Sequence, residues 1–527
     1  MEAVAPRAAA APLDNASFRS EPPARSAPDV GLTTVEESLQ AQRARRDLPL
    51  LAVAGFAAAL AYLLVHRSLV DDSYITMTYA RNLAFHLHWG LIPGETANSA
   101  TSPLNVLLLA AITAVVRSPI LAVGVLFVVT MVFTARWLAD LSDQLSLSRA
   151  TPWIGTALLL PSPLLLSTVG LESYLCAALF VGLVRYGAAG RPVAFGIVAG
   201  LAVLARPDLG VVVLVTALGF PDVRRRLLLA VAAAVAVAAP WHLWSWFVLG
   251  SALPDTLLVK AGQGTWAGFG FATGPVLYLI AFPAAAALSF LPVVLGGVGL
   301  VVVVLRALRA RRCGPVERAA AVSALAAIAH YGAYSLLSTP PYHWYYVPLI
   351  VGMSVCVTLV VGRALAGGRT AAALAVAAVP VVLALAMIAV DLLHGTPWTR
   401  SVIGSNWASP AEYERIGREL PPLLGTRAVG SPGEIGTIAY YCECAIVDVF
   451  SDRGRMIEMI EAREARSGPI ARALIGLNYL HLDRSEPPRQ VAVRLEFRKD
   501  EPSAGARWWP VRHWAEGPGR MELVPAR

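Results

Sequence analysis

Two adjacent acids, Asp71 and Asp72, follow an apolar run in the stretch LVDDSYITMTYARNLAFHLHWGLIPG, residues 69–94. Like charges this close repel, and at a membrane edge they need water, a cation or a metal beside them. Asp72 stands at a predicted helix start, where a carboxylate can simply receive orphan backbone N–H groups. Asp71 has no such role in the sequence, which makes it the first candidate for a general base acting on a hydroxyl. If the stretch is helical, spacings of three and four put Tyr74, Thr78 and Arg81 on one face. Tyr74 and Arg81 therefore join the candidates as substrate-binding residues.

Four later segments carry the other unusual polar residues. Glu172 in STVGLESYLC opens an apolar segment, either as a helix cap or as support for the first two acids. Arg206 and Asp208 flank Pro207 in LARPDLG, and either pair with each other or face a ligand. GSALPDTLLVKAG offers Asp255 and Lys260. TPPYHWYYVP sets His343 among Tyr342, Trp344, Tyr345 and Tyr346, where an interfacial aromatic belt is the competing explanation. Taken together these are acids, cations and aromatic rings. Acids suit deprotonation of a hydroxyl, cations suit a phosphate leaving group, and aromatic faces suit sugars and isoprenoid chains.

The elements that must position these residues are membrane helices. Of 527 residues, 56% are hydrophobic and only 15% are charged, against roughly 25% charged in soluble domains. The apolar runs are long and repeated, so the fold class expected is a polytopic all-α membrane protein. The net charge of +8 then reports loop asymmetry, not nucleic-acid binding. Apolar segments lie near 48–66, 103–116, 118–137, 152–169, 173–189, 192–205, 209–220, 226–249, 271–305, 318–337, 345–362 and 371–393. Basic clusters at Arg43, Arg45 and Arg46, at Arg224–Arg226, at 306–312, and at Arg363 with Arg369 are expected on the cytoplasmic side. That places the amino terminus inside, and Asp71, Glu172, 250–270, 338–344 and 394–527 outside. Segment 103–116 is too short to cross and is assigned as re-entrant, leaving about eleven crossings.

Three regions follow. Residues 1–46, rich in Ala, Pro and Arg with no apolar stretch, read as a disordered cytoplasmic tail and not as a signal peptide. Residues 47–393 form the transmembrane domain, with the loop 69–102 as its outer catalytic loop. Residues 394–527 gain charge and read as a small extracytoplasmic α/β domain, with TRAVGSPGEIGTIAYYCECAIVDVF as short strands around Gly-rich turns. Of five cysteines, Cys442 and Cys444 are two apart, a spacing that suits neither a usual disulfide nor a zinc knuckle.

The first loop, DDSYITMTYARNLAFHLHWGLIPGETANSATSPLNVLLLA, resembles that of GT-C membrane glycosyltransferases, written roughly D-D-[AS]-Y-I-x3-Y-A-R-N-L, N-P-G-E, T-S-P-L-W. It is most similar to the terminal arabinofuranosyltransferases of mycobacterial and corynebacterial cell walls. GLES, ARPDL, GSALPDTLLVKAG and GEIGTIAYYCECAIVDVFSDRG follow in the family's order, whereas IPGE and TSPLN depart from it. The resemblance implies a GT-C-like fold and transfer of a sugar, arabinofuranose among the candidates, from a polyprenyl-phosphate-linked donor. The acceptor is a cell-envelope glycan or glycolipid such as arabinogalactan or lipoarabinomannan, and the site is at the outer face of a bacterial cell membrane. It implies a first-loop acid, by position Asp71 or Asp72, as base or metal-associated residue; Asp71 is taken as the base, with Asp72 and Glu172 in support. It also implies a donor-phosphate set of Arg206, Lys260 and His343, and a substrate set of Tyr74, Arg81, Asp208, Tyr342 and Trp344. A divalent cation (Mg, Mn or Ca) on Asp71 and Asp72 is a further expectation, and no nucleotide cofactor is expected. The rival classes are a flippase of lipid-linked sugars and a non-catalytic glycan-binding scaffold.

Overall fold

The computed structural model describes residues 30–526, apart from Ala261, Ser338 and Arg369, and the side chains from Gln42 onward apart from Ala44. Helices α1 (Val30–Val65), α2 (Asp71–His86), α3 (Pro103–Val116), α4 (Pro119–Gln144) and α5 (Thr151–Leu159) open the chain, and a short α6 (Pro163–Leu166) follows. Next come α7 (Ser173–Ala188), α8 (Pro192–Ala205), α9 (Gly210–Gly219), α10 (Pro221–Arg225), α11 (Leu227–Trp244) and α12 (Thr256–Lys260). Then follow α13 (Gly274–Ala281), α14 (Pro283–Ala310), α15 (Pro315–Leu336), α16 (Val347–Ala366) and α17 (Ala371–Leu393). The last third holds α18 (Pro410–Leu424), α19 (Gly436–Cys442), α20 (Arg453–Arg466), α21 (Pro469–Asn478) and five strands, β1 (Val429–Gly430), β2 (Ile446–Val447), β3 (Val493–Arg498), β4 (Arg507–His513) and β5 (Gly517–Pro525).

Among the described residues, seven helices are long and apolar enough to cross a membrane: Arg45–Val65, Pro119–Gln144, Leu227–Leu249, Pro283–Ala310, Pro315–Leu336, His343–Ala366 and Ala371–Leu393. Five shorter apolar helices lie between them, Pro103–Val116 among these. Two expected spans are broken by proline, which cannot donate to the helical ladder and clashes with the preceding turn. Segment 152–169 stops at Leu159 and resumes at Pro163, and segment 271–305 breaks between Phe282 and Pro283. Many large apolar side chains of the long helices stay exposed, Phe56, Phe133 and Val382 among them, as a lipid-facing surface requires.

Of the expected tail, residues 1–29 lie outside the described residues. Residues 30–46 are helical, as the first part of α1. The helix-forming run EESLQAQRARR explains this. The chain divides into Met1–Leu48 and Pro49–Arg527, and everything below concerns the second unit.

The carboxy-terminal region is mixed α/β, as expected. Its sheet runs β2-β1-β3-β5-β4, parallel across β2, β1 and β3 and antiparallel across β3, β5 and β4. Helix α18 is amphipathic, with Tyr413, Ile416, Leu420 and Leu424 buried and a Ser409–Glu412 capping box at its start. The core of this region also takes in Tyr79, Trp89 and Val106, so the first loop packs into it. The stretch GTIAYYC is the helix α19, not a strand. Cys442 and Cys444 are joined in a disulfide at a Cα–Cα distance of 5.1 Å. The spacing allows this because Glu443 takes a left-handed conformation, φ 51°, which turns the chain back on itself.

A candidate active site where the first loop meets the carboxy-terminal domain

Helix α2 begins at Asp71, after the extended residue Val70. The first of the two acids lines the same cavity as Asp72, but its oxygens are taken up by backbone groups. Asp71 is buried, and both its oxygens are occupied: Oδ2 accepts the backbone N–H groups of Ile435 (3.1 Å) and Gly436 (2.8 Å), and Oδ1 accepts that of Thr437 (2.7 Å). It caps a helix after all, but that helix is α19, in the carboxy-terminal domain. Sequence reasoning could not see this, because the cap joins residues 364 to 366 positions apart. Gly436 is required there, since a Cβ would collide with the Asp71 carbonyl oxygen. Burial pushes the Asp71 carboxyl up, the amides of Thr437 and Gly436 pull it back, and the charge on Asp72 raises it further.

Asp72, one residue on, faces a cavity of about 450 Å³. Five separate segments line it: the first loop (Asp72, Thr76, Ser99), the Glu172 turn, α12 and the loop after it (Lys260, Gln263, Trp266), the aromatic loop (Tyr342, Trp344, Tyr345), and the carboxy-terminal domain (Asn406, Trp407, Glu434, His513, Trp514). Asp72 Oδ2 lies 3.5 Å from Lys260 Nζ. The ammonium sits over the rings of Tyr342, Trp344 and Tyr345, at 4.7, 5.4 and 5.6 Å from their centroids. Burial opposes the Lys260 charge, but Tyr345, Asp72 and Tyr342 more than offset it and hold its pKa above the ordinary lysine value. Among the described lining residues it is the only Lys or Arg. Glu172 also lines the cavity, buried, with burial raising its pKa and Arg206 partly restoring it.

Arg206 is not in the cavity. It is 1% exposed and fully engaged: Nε and Nη2 bond the two Asp208 oxygens at 2.9 and 2.7 Å, Nη1 donates to the Trp344 carbonyl at 3.2 Å, and Glu172 lies 3.6 Å away. Asp208 is bound in turn by His330 at 2.7 Å. Arg206 and Asp208 therefore form a strut behind the cavity wall that steadies Glu172 and Trp344. His343 does not reach the cavity either; it is buried against Tyr278 and Trp344, because the one-turn helix His343–Tyr346 sends consecutive side chains to different sides.

Tyr74 and Arg81 also leave the expected set. Tyr74 packs on Tyr440 and Tyr441, and Arg81 bonds the Tyr440 carbonyl (2.9 Å) and Glu443 (2.7 Å). Their shared helix face is real, and α19 covers it. Of the expected residues, Asp71, Asp72, Glu172, Lys260, Tyr342 and Trp344 line the cavity, Asp71 with its oxygens already bonded to backbone amides.

Sequence reading missed the wall contributed by the carboxy-terminal domain. Glu434 accepts from Asn406 (3.0 Å), from the Trp407 N–H (3.0 Å) and from the Tyr413 hydroxyl (2.5 Å). Burial, with Asp71 nearby, pushes its carboxyl up to about 8. Glu434 falls in the GEIGTIAYY stretch, whereas nothing in the sequence around Asn406, Trp407, His513 and Trp514 marks them. Nor do the residues assemble a divalent-cation site. Asp71 has spent both oxygens on amides, Asp72 faces an ammonium, and no group of three His, Cys, Asp or Glu side chains is set for a metal among the described residues.

No protein-family model matches the sequence, and no curated protein matches it. Solved structures do. ArnT from Cupriavidus metallidurans in the apo state superposes at a TM-score of 0.55 with 15% identity, over 90% of this chain and 97% of that one. The same protein bound to undecaprenyl phosphate gives 0.54 and 15%, over 91% and 97%. The mycobacterial arabinofuranosyltransferase AftD is looser, at 0.48 and 12%, over 91% of this chain and 40% of AftD. The chain therefore has the fold of ArnT along nearly its whole length.

Proposed function

We propose that the chain is a glycosyltransferase that moves a sugar from a polyprenyl-phosphate-linked donor to a cell-envelope glycan or glycolipid. The observation that carries this reading is the cavity pairing of Asp72 with Lys260 on an aromatic wall, at the end of a membrane-helix bundle. The shared fold with ArnT, which has been solved with undecaprenyl phosphate, supports a lipid-phosphate donor. Arabinofuranose is one candidate donor sugar, from the first-loop resemblance, and the departures IPGE and TSPLN lie in the part of that loop expected to hold the acceptor.

In this reading Asp72 takes the proton of the acceptor hydroxyl as its oxygen attacks the anomeric carbon. The bond from that carbon to the phosphate oxygen breaks, and Lys260 stabilises the charge that develops on the leaving phosphate. The rings of Tyr342 and Trp344 hold the sugar. Asp71 fixes the first loop to α19 and touches no substrate. No step runs through a metal, because the donor set does not fit one.

The site faces the non-cytoplasmic side, with the amino terminus inside. The loop charges support this, and so does the Cys442–Cys444 disulfide, a bond suited to an oxidising compartment. About eleven crossings follow if the short apolar helices other than Pro103–Val116 also traverse the bilayer.

The test is product formation by purified full-length protein in lipid nanodiscs, using a synthetic polyprenyl-phosphate pentose and extracted envelope glycan. Transfer that disappears in Asp72→Asn supports the reading. Transfer unchanged in that variant sinks it, and a flippase or scaffold gives no product at all.

A further inference from the structure

Helix α21 buries none of its residues. Ile470, Leu474 and Leu477 recur at i, i+4 and i+7, on one face, and are 80, 64 and 55% exposed. Leu480, just beyond, is 61% exposed. Arg472 lies on the opposite face, its guanidinium on the carbonyls of Glu464 and Ser467. This is an amphipathic helix turned inside out with respect to its own domain: the apolar side looks away from the core.

What lies beside that face identifies its occupant. The helix is pinned to the end of the candidate span Leu227–Leu249. Trp246 Nε1 donates to the Leu477 carbonyl at 2.9 Å, the Leu253 N–H donates to Asn478 Oδ1 at 2.8 Å, and the Trp246 and Phe247 rings pack on His481 at 4.9 and 4.6 Å. In the last turns of that span Leu243, Phe247 and Val248 are themselves exposed, on a surface that faces acyl chains. The apolar face of α21 continues that surface. At ten residues the helix is about 15 Å long, too short to cross a bilayer.

We infer that α21 is an in-plane membrane-surface helix, with Ile470, Leu474 and Leu477 sunk into the headgroup–acyl boundary of the leaflet nearest the cavity. The partner is a lipid surface. The inference rests on the membrane-spanning reading of Leu227–Leu249 and is independent of the transfer chemistry. It has a consequence for the site. The inner side of α21 packs through Ile475 and Tyr479 into the small core that holds Val259, the neighbour of Lys260. The helix embedded in lipid thus braces the turn that carries the cavity's cation at a fixed height over the membrane.

The experiment uses the full chain in a Cys313→Ser background, since Cys176 and Cys356 are buried. Leu474→Cys, Leu477→Cys and Arg472→Cys are each labelled with a small environment-sensitive fluorophore. The proteins are reconstituted in vesicles of phosphatidylethanolamine and phosphatidylglycerol with or without nitroxide-bearing acyl chains. Positions 474 and 477 should lose several-fold more emission to the lipid nitroxide than position 472, and iodide in the water should show the reverse order. Equal quenching at all three positions overturns the inference. So does iodide quenching at 474 that matches 472, or protection of 474 that disappears on diluting the protein among vesicles, which assigns the face to a second copy. None of these readouts depends on activity, so an inactive preparation does not confuse them.

Discussion

Two charged clusters stand on either side of the aromatic loop 342–345. In one, Arg206 is bound by Asp208, with Glu172, the Trp344 carbonyl and, through Asp208, His330 around it. In the other, Lys260 and Asp72 pair at 3.5 Å on the cavity wall, with the ammonium over the rings of Tyr342, Trp344 and Tyr345 and bonded to the Tyr345 hydroxyl. Both pair a cation with an acid, and the sequence treats them alike. The difference is saturation. A buried charge with every hydrogen-bond site filled has nothing left for a ligand, and its removal strands its partners. A cation held over rings, next to one acid, keeps donors free for a phosphate. The same contrast separates Asp71 from Asp72, although they are adjacent in sequence.

The comparison breaks most easily at the acids. Asp72→Asn should lower transfer by about 10²–10⁴-fold, the usual loss on removing a general base, with melting temperature unchanged. Asp71→Asn should instead place an amide N–H₂ against backbone donors and loosen the docking of α19. Protease resistance of the carboxy-terminal domain, followed beside activity, tells the two apart. If Asp71→Asn is as stable as the parent and Asp72→Asn fully active, the assignment is reversed.

Next in size is Arg206→Met. It leaves Asp208 and Glu172 buried without their cation, and should cost about 3–5 kcal/mol of stability, seen as a large fall in melting temperature in detergent. A variant that melts normally yet loses donor binding would move Arg206 into the open cluster. Lys260→Ala should do the opposite. It should melt normally and lose about 2–3 kcal/mol of transition-state stabilisation, roughly 30- to 150-fold in kcat/KM for the lipid-phosphate donor.

These contrasts show how much could be read from residue order. The membrane class, the mixed carboxy-terminal domain and the segments that meet at the cavity are legible, because apolar length, charge density and local motifs report them. Asp71, Asp72, Glu172, Lys260, Tyr342 and Trp344, expected on these grounds, line the cavity, and the pairing of Arg206 with Asp208 is one of the two readings its spacing allows. The bonding of Asp71, Tyr74, Arg81 and His343 is not legible, because it depends on neighbours that lie far away in the chain. The breaks at Pro163 and Pro283 were visible as prolines, but hydropathy alone runs straight through them.

A smaller effect sharpens the docking side of the comparison. Gly436→Ala drives a methyl into the Asp71 carbonyl and should cost about 1–3 kcal/mol by overpacking, with protease sensitivity rising around α19. A further expected effect on the same side is a pH slope. Glu434 in the folded protein titrates at about 8, above the ordinary glutamate range. The folded state therefore binds more protons than the unfolded chain between the two values, and stability falls as pH rises from about 4.5 to 8. Asp71 shifts in the same direction. Melting temperature measured against pH should show this slope in the parent and a flatter one in Glu434→Gln.

The cap that Asp71 places on α19 also bears on how the protein is made. Its donors are 364 to 366 residues downstream of it, and a chain emerging from the ribosome holds the acids long before it holds the amides. Until Ile435, Gly436 and Thr437 have been synthesised and delivered to the same side, the first loop has nothing to close upon. The cavity wall from Asn406 to Trp514 does not yet exist. Such long-range closure is slow and comes last. A half-made copy therefore lacks the pocket that the proposed transfer needs, and assembly itself is the step that completes the site.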